Sequence, residues 1–345
     1  MFKIKKYTTV VGLLIILTLL LCAGVVVFAK SGFRLPADFS TFGRNTTHQA
    51  VFERNGEIYL YDGQKNTIKT LTSGGKYSPL VSPDNTKILY RKAVYETPNN
   101  ALIFGVIDIS GKEICEITID TPFSNEIIGM NWVTNSQVAV TTHVNPSTSE
   151  YFLYDIIEEK LISRANGGSF AVIPGTDKVI HEKNIPHWSN ESVYHSFQIG
   201  EEIVYTSNTL DTKLGTPIFS DDLSKMAFVE TTKNDDTYEN SNSTHLIICD
   251  IDLRSLELTQ KTKVAIDSNI VGHLTFSDNV VCFVNSDLVY WYDEVSGIFV
   301  EENIETNLRN ASTDSERMKD LQQAVIDRWN DGSLNSVNSV NWLSE

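Results

Sequence analysis

The chain has 345 residues, with 28 Lys and Arg against 44 Asp and Glu, a net charge of −16 and 41% hydrophobic residues. That usage excludes disorder as a whole-chain state and leaves room for one large all-β domain or two ordinary domains. Residues 1–30 hold four of the bases and no acid, so the remainder carries 24 bases against 44 acids, a surface that repels nucleic acid and anionic lipid.

The first element is an apolar segment. Lys3, Lys5 and Lys6 precede an uncharged stretch from Tyr7 to Ala29, and at about 1.5 Å per residue such a helix spans a bilayer core. The three lysines hold the short end in the cytoplasm and send the bulk of the chain outside. The expected layout is a cytoplasmic tail at 1–6, a transmembrane anchor or signal segment at 7–29 and a linker at 30–47. A cut after Val27-Phe28-Ala29 would release the protein. The run is longer than the usual signal core of about 7–15 residues, which favours an uncut single-pass anchor. A lipoprotein signal centred on Cys22 is disfavoured by the bulky Leu21 before it.

Residues 48–303 read as short alternating strands broken by Asn, Asp, Gly and Ser. Two patterns recur within them. A strand ending in aspartate appears at Asp62, Asp108, Asp155, Asp250 and Asp293, with spacings of 46, 47, 95 and 43. The long spacing is close to two units, and VYHSFQ ending at Gln198 supplies a degenerate copy inside it. Upstream, PLVSPDNTKILY (79–90) and PIFSDDLSKMAF (217–228) share Pro, Ser, Asp and Lys at a constant offset of 138, three units of 46. Weaker copies lie at 131–140, 171–181 and 273–283. Each unit is expected to run strand A, tight turn, strand B, loop, strand C, hairpin, strand D, and four antiparallel strands at this period make a β-propeller blade. The fold class is therefore all-β, a six-bladed β-propeller with one N-terminal transmembrane helix and one short C-terminal helix.

The Ser82-Pro83-Asp84 turn followed by Lys87 and an apolar strand resembles the TolB-type, WD40-like propeller repeat, with Asn85 where that repeat usually has glycine. The resemblance covers about 48–303 and implies the fold. It implies no single role, because that family holds periplasmic and cell-surface binding propellers as well as domains attached to peptidases.

The connections between strands B and C are expected to be long in blades two to five, at 91–100, 142–150, 182–192 and 230–244. Long connections on a rigid scaffold are where binding residues collect. The candidate binding face comprises Tyr95, Asn99, Asn145, His187, Trp188, Asp235, Asp236 and Tyr238, with the aromatics as anchors. After the last blade, Thr313 and Glu316 have capping-box spacing, Met318, Leu321, Val325 and Trp329 share a face, and Gly332 ends the helix. This segment, 304–336, is expected to pack on the propeller rim, or else to dock a partner. Residues 337–345 resemble strand A of blade three, with Asn341-Trp342 matching Asn131-Trp132. Blade one lacks a strand A of its own, so the C-terminus is expected to supply it and close the ring.

Chemistry-bearing residues are few. Cys115, Cys249 and Cys282 sit in apolar strands as small buried hydrophobes. His181, His187 and His195 match no common zinc spacing. The recurrent aspartates are read as hairpin caps. Asp250 and Asp252 lack the glycine and distal glutamate of a calcium loop. No catalytic, cofactor-binding or metal-ligating residue is assigned, and no cofactor is expected. The expected function is a membrane-anchored extracytoplasmic binding or scaffold module for a protein, peptide or cell-envelope component, as a monomer or part of a membrane complex. The alternative is an enzyme of hydrolase, lyase or cyclotransferase type with its site in the propeller channel.

Overall fold

The computed structural model describes residues 46–93, 101–120, 127–144, 148–183, 193–233, 242–252, 254–267, 270, 272–285, 288–303, 305–329 and 338–344. The chain divides into two units, 1–42 and 43–345, and every described residue belongs to the second. The apolar segment Tyr7–Ala29 lies outside them. Among the described residues no helix is long and apolar enough to cross a membrane.

The second unit is a series of antiparallel sheets. In the first, β1 (Thr46–Arg54), β2 (Glu57–Asp62) and β3 (Thr67–Thr72) are joined by the C-terminal strand β24 (Asn338–Ser344), in the order β24-β1-β2-β3. The next is β4 (Lys76–Val81), β5 (Lys87–Lys92), β6 (Leu102–Asp108) and β7 (Glu113–Ile119). A seven-stranded sheet follows: β8 (Ile127–Trp132), β9 (Gln137–Val144), β10 (Thr148–Asp155), β11 (Lys160–Val172), β12 (Val179–Lys183), β13 (Tyr194–Ile199) and β14 (Glu202–Leu210). Its long β11 pairs with β10 through residues 160–167 and with β12 through 167–172, so one strand ends one four-stranded set and begins the next. The fourth sheet holds β15 (Thr212–Leu214), β16 (Ile218–Phe219), β17 (Lys225–Lys233), β18 (Asn242–Asp252) and β19 (Glu257–Ala265). The fifth is β20 (His273–Ser277), β21 (Val280–Asn285), β22 (Leu288–Asp293) and β23 (Ile298–Asn303).

Strand composition follows position in the sheet. In β5, Ile88, Leu89 and Tyr90 are buried in succession because both faces of the strand are covered. In the outer β7, Cys115, Ile117 and Ile119 point inward while the alternate residues are exposed, the period-2 signature of a half-covered strand. Each sheet packs its faces on its neighbours in the chain. Val51 and Ile58 meet Ile88 and Tyr90, Leu89 and Phe104 meet Val138 and Phe152, Tyr151 and Leu153 meet Val179, Phe197 meets Phe228 and Ile247, and Leu246 and Ile248 meet Val281 and Phe283. Repeated antiparallel sheets packed face to face in chain order form a β-propeller.

The strand β24 pairs with β1 through Ala50↔Trp342 and Val51↔Asn341. Leu343 is buried between the first two sheets, and the Asn341 side-chain amide donates to the Pro79 carbonyl at 2.6 Å. The remaining face of the first sheet carries Ala50, Phe52, Tyr59 and Tyr61, and the helix α1 (Glu305–Trp329) covers it with Leu321, Ala324 and Val325. Trp329 meets Tyr59 edge-on at 5.1 Å. Arg328 bonds the Ile68 carbonyl and, at 3.1 Å, the Thr70 hydroxyl.

Three expectations are corrected. The helix begins at Glu305, ahead of the expected cap at Thr313, because no Gly or Pro interrupts 305–329 and the capping residues fall inside it. The connection at 142–150 is short, since β9 runs to Val144 and β10 resumes at Thr148, their Thr and Ser residues being taken into the ladder. The connection at 230–244 is likewise trimmed by pairing from Glu230↔His245 to Lys233↔Asn242. The sequence also hid a recurring kink in the innermost strands. Ser78, Ser169 and Ser339 all have left-handed backbone, with φ of 52°, 50° and 52°, each beside a register shift in its strand.

Candidate functional site

The candidate face residues Tyr95, Asn99, Asn145, His187, Trp188, Asp235, Asp236 and Tyr238 lie outside the described residues. The strand ends that hold their segments are described: β5 and β6, β9 and β10, β12 and β13, β17 and β18. The last three of these pairs share a feature with no sequence signal, a glutamate tied into the scaffold, buried at Glu150 and Glu230 and half-buried at Glu182. Glu150 on β10 takes two bonds from Arg164, at 3.0 and 2.6 Å. Glu182 on β12 accepts from His195 Nδ1 at 2.6 Å and from the Leu214 amide at 3.4 Å. Glu230 on β17 is fully buried and accepts from the Tyr205 hydroxyl and the Lys263 ammonium, both at 2.6 Å. Burial, and then the Glu230 carboxylate, push the Tyr205 hydroxyl far above its ordinary range. Alternation alone would have shown only a polar residue near each strand end; the partners lie on neighbouring strands and units.

The three histidines do not converge. His181 Nε2 accepts from the Gln198 side-chain amide at 2.8 Å, with the imidazolium form disfavoured by burial. His195 serves Glu182, and His187 is outside the described residues. Burial pushes the thiols of Cys115, Cys249 and Cys282 up to about 11, 12 and 12, so none of them is a thiolate near neutrality. Among the described residues no group of three or more His, Cys, Asp or Glu could hold a metal.

Four of the five recurrent aspartates cap their hairpins. Asp62, Asp108, Asp155 and Asp293 accept backbone N–H bonds from Lys65, Ser110, Ile157 and Val295, at 3.2, 2.8, 2.8 and 3.0 Å. Asp250 does not. The strand β18 continues past it, Asp252 takes the cap from the Arg254 amide at 2.9 Å, and Asp250 pairs across the ladder with Lys261 at 3.1 Å.

Two clefts flank the four-stranded set β11–β14. The outer one, about 630 Å³, is lined by charged and polar side chains including Arg164, Asp177, Lys178 and Glu202. The inner one, about 560 Å³, lies between β8–β10 and the second half of β11 and reaches Thr216. Both fall in the size range of ligand sites.

No protein-family model and no curated protein matches the sequence. The chain is similar to the solved β-propeller domain of the Trilobed protease from Pyrococcus furiosus, at 15% identity and a TM-score of 0.44 over 76% of this chain and 83% of that one. It is also similar to an uncharacterized protein from Listeria monocytogenes, at 10% identity and a TM-score of 0.43 over 76% and 82% of the two chains. TolB from Acinetobacter baumannii is a third such structure, at 14% identity and a TM-score of 0.32 over 74% of this chain and 64% of that one. The chain's own sheets make it a β-propeller.

Proposed function

We propose that the protein is a membrane-anchored, extracytoplasmic six-bladed propeller that binds a protein, peptide or cell-envelope component as a binding or scaffold module. The observation that carries this reading is the row of glutamates Glu150, Glu182 and Glu230 at the strand ends beneath the connecting segments. Each is engaged by a partner inside the scaffold, an arrangement that stiffens a platform for recognition segments. Counting blades rests on the unit near 46 residues and on β11 serving two four-stranded sets. Anchoring rests on Lys3, Lys5 and Lys6 ahead of the uncharged stretch Tyr7–Ala29.

The linker 30–47 enters the propeller at β1, the second strand of its sheet. The test is capture of envelope components by the purified protein with and without Trp188→Ala and Tyr238→Ala. The double variant is expected to lose capture while changing stability by no more than about 0.5 kcal/mol. Capture that survives it, and is lost on altering the turns at Asn85 and Leu223, would assign recognition to the opposite side.

A further inference from the structure

The outer cleft lies where three turns meet. The turn between β11 and β12 brings Asp177 and Lys178, the hairpin between β13 and β14 brings Glu201 and Glu202, and the hairpin between β18 and β19 brings Leu256. One wall follows β11 from Ile162 to Asn166.

The cleft joins aliphatic surface to uncompensated acid. Ile162, Ile199 and Leu256 line it and are only half-buried. Ile203, paired directly with the lining residue Gln198, adds a side chain 51% exposed. Of the two bases in the lining, Arg164 gives two bonds to Glu150 and is committed to it. Lys178 is left against Asp177, Glu201 and Glu202, none of which has an ion pair among the described residues. Lys160 is within electrostatic reach of Asp177 but is paired with Glu158. Gln198 is held by its amide, which donates to His181 Nε2 at 2.8 Å, so its side-chain carbonyl stands as one more acceptor on the wall.

This lining discriminates by chemistry. A Lys or Arg side chain lays its methylenes along apolar surface while its charged head stays at the solvated edge. There the carboxylates offer charge-assisted hydrogen bonds, which are stronger than neutral ones. An acidic segment would meet like charge, and a wholly apolar one would strip water from the carboxylates without replacing its bonds. We propose that the outer cleft docks a basic peptide segment in which Lys or Arg alternates with aliphatic residues, with Asp177, Glu201 and Glu202 holding the cationic heads. The inference needs neither the membrane anchor nor the strand B to strand C segments, since every lining residue is a described one.

The test is calorimetric titration of the purified full-length chain, held in a non-ionic detergent, with acetyl-Gly-Lys-Leu-Lys-Leu-Lys-Gly-amide. A Kd of roughly 100 μM or tighter is expected. Counterparts with Glu or Gln in place of Lys, or Gly in place of Leu, should each bind at least about tenfold more weakly. Raising the salt from about 50 to about 500 mM should weaken the basic peptide by about threefold or more. Glu201→Lys with Glu202→Lys, both at exposed positions, should weaken it by about tenfold or more at unchanged melting temperature. Leu256→Asn, which keeps a residue tolerant of the left-handed backbone there (φ 58°), should weaken it as well and tests the aliphatic floor without altering charge. Glu113→Lys, on the second sheet, should leave binding unchanged. The proposal is overturned if the basic peptide does not bind, if the Gln or Gly counterpart binds as tightly, or if the Glu201 and Glu202 variant has no effect. It is also overturned if Glu113→Lys weakens binding equally, which would mean general attraction to an acidic chain. Self-association of the chain that the cleft variants abolish would overturn it too, by making a second copy the occupant.

Discussion

The backbone amide of Asp84 donates to the side-chain oxygen of Asn135, 3.0 Å away, linking the tight turn of one four-stranded set to that of the next. The same link recurs further along the chain, where Asp222 donates to Asn279 at 3.1 Å. In both turns the aspartate also holds its own loop. Ser82 and Thr86 bond Asp84, and Ser220 and Ser224 bond Asp222, all through Oδ1.

These bonds make stability depend on acid. Backbone and side-chain bonds from Ser224, and then the Ser220 hydroxyl, hold the Asp222 carboxyl down to about 2 from its ordinary 3.8. At Asp84 desolvation raises the value, but the bonds from Ser82 and Thr86 outweigh it and leave the carboxyl far below the usual range. The folded state therefore takes up these protons less readily than the unfolded chain. The contribution is fully present above about pH 4 and fades as the pH falls through the folded-state values. Melting temperature followed from pH 5 to pH 2 should decline, and Asp222→Ala should lower the starting value while flattening that decline. A slope unchanged in the variant would remove Asp222 from the cause.

The turn residues Asn85 and Leu223 occupy equivalent places, both with φ of 57°. Asparagine tolerates left-handed backbone; leucine is strained there. Leu223→Asn should stabilise the protein by about 0.5–1 kcal/mol, read from the midpoint of urea unfolding. A loss of stability instead would mean that the half-buried leucine contributes more by packing than it costs in strain.

The C-terminal helix and strand are held by Leu321 and Leu343 as much as by the tryptophan that marked the strand. Leu343 is 5% exposed and Leu321 fully buried, while Trp342 is only half-buried. Leu343→Ala and Leu321→Ala should each cost about 2–5 kcal/mol. Removing residues after Ser333 should expose the edge of β1 and promote aggregation, measurable by light scattering on heating. Unaltered melting in the truncated chain would show that β24 is dispensable.

Lys263 offsets the fully buried Glu230. Lys263→Met should cost about 2–4 kcal/mol, less than the roughly 3–5 kcal/mol of a wholly buried pair because the lysine is partly exposed. Adding Glu230→Met should recover much of that loss. If the double variant proves less stable than the single one, the Tyr205–Glu230 bond outweighs the desolvation of the carboxylate.

What the sequence determined by itself was periodic. Alternation, the recurring aspartates and the Ser82/Ser220 turn pair are local patterns, so the all-β class, the unit length and the hairpin-capping role of Asp62, Asp108, Asp155 and Asp293 were legible without coordinates. Asp250 misled because the end of a strand is decided by its ladder partners, and β18 pairs through to Asp252↔Glu257. Tertiary structure alone decided which carboxylates are buried, since Glu230 meets Tyr205 and Lys263 from other strands. It alone decided that α1 covers Phe52 and Tyr59 and that β11 runs unbroken between two sets.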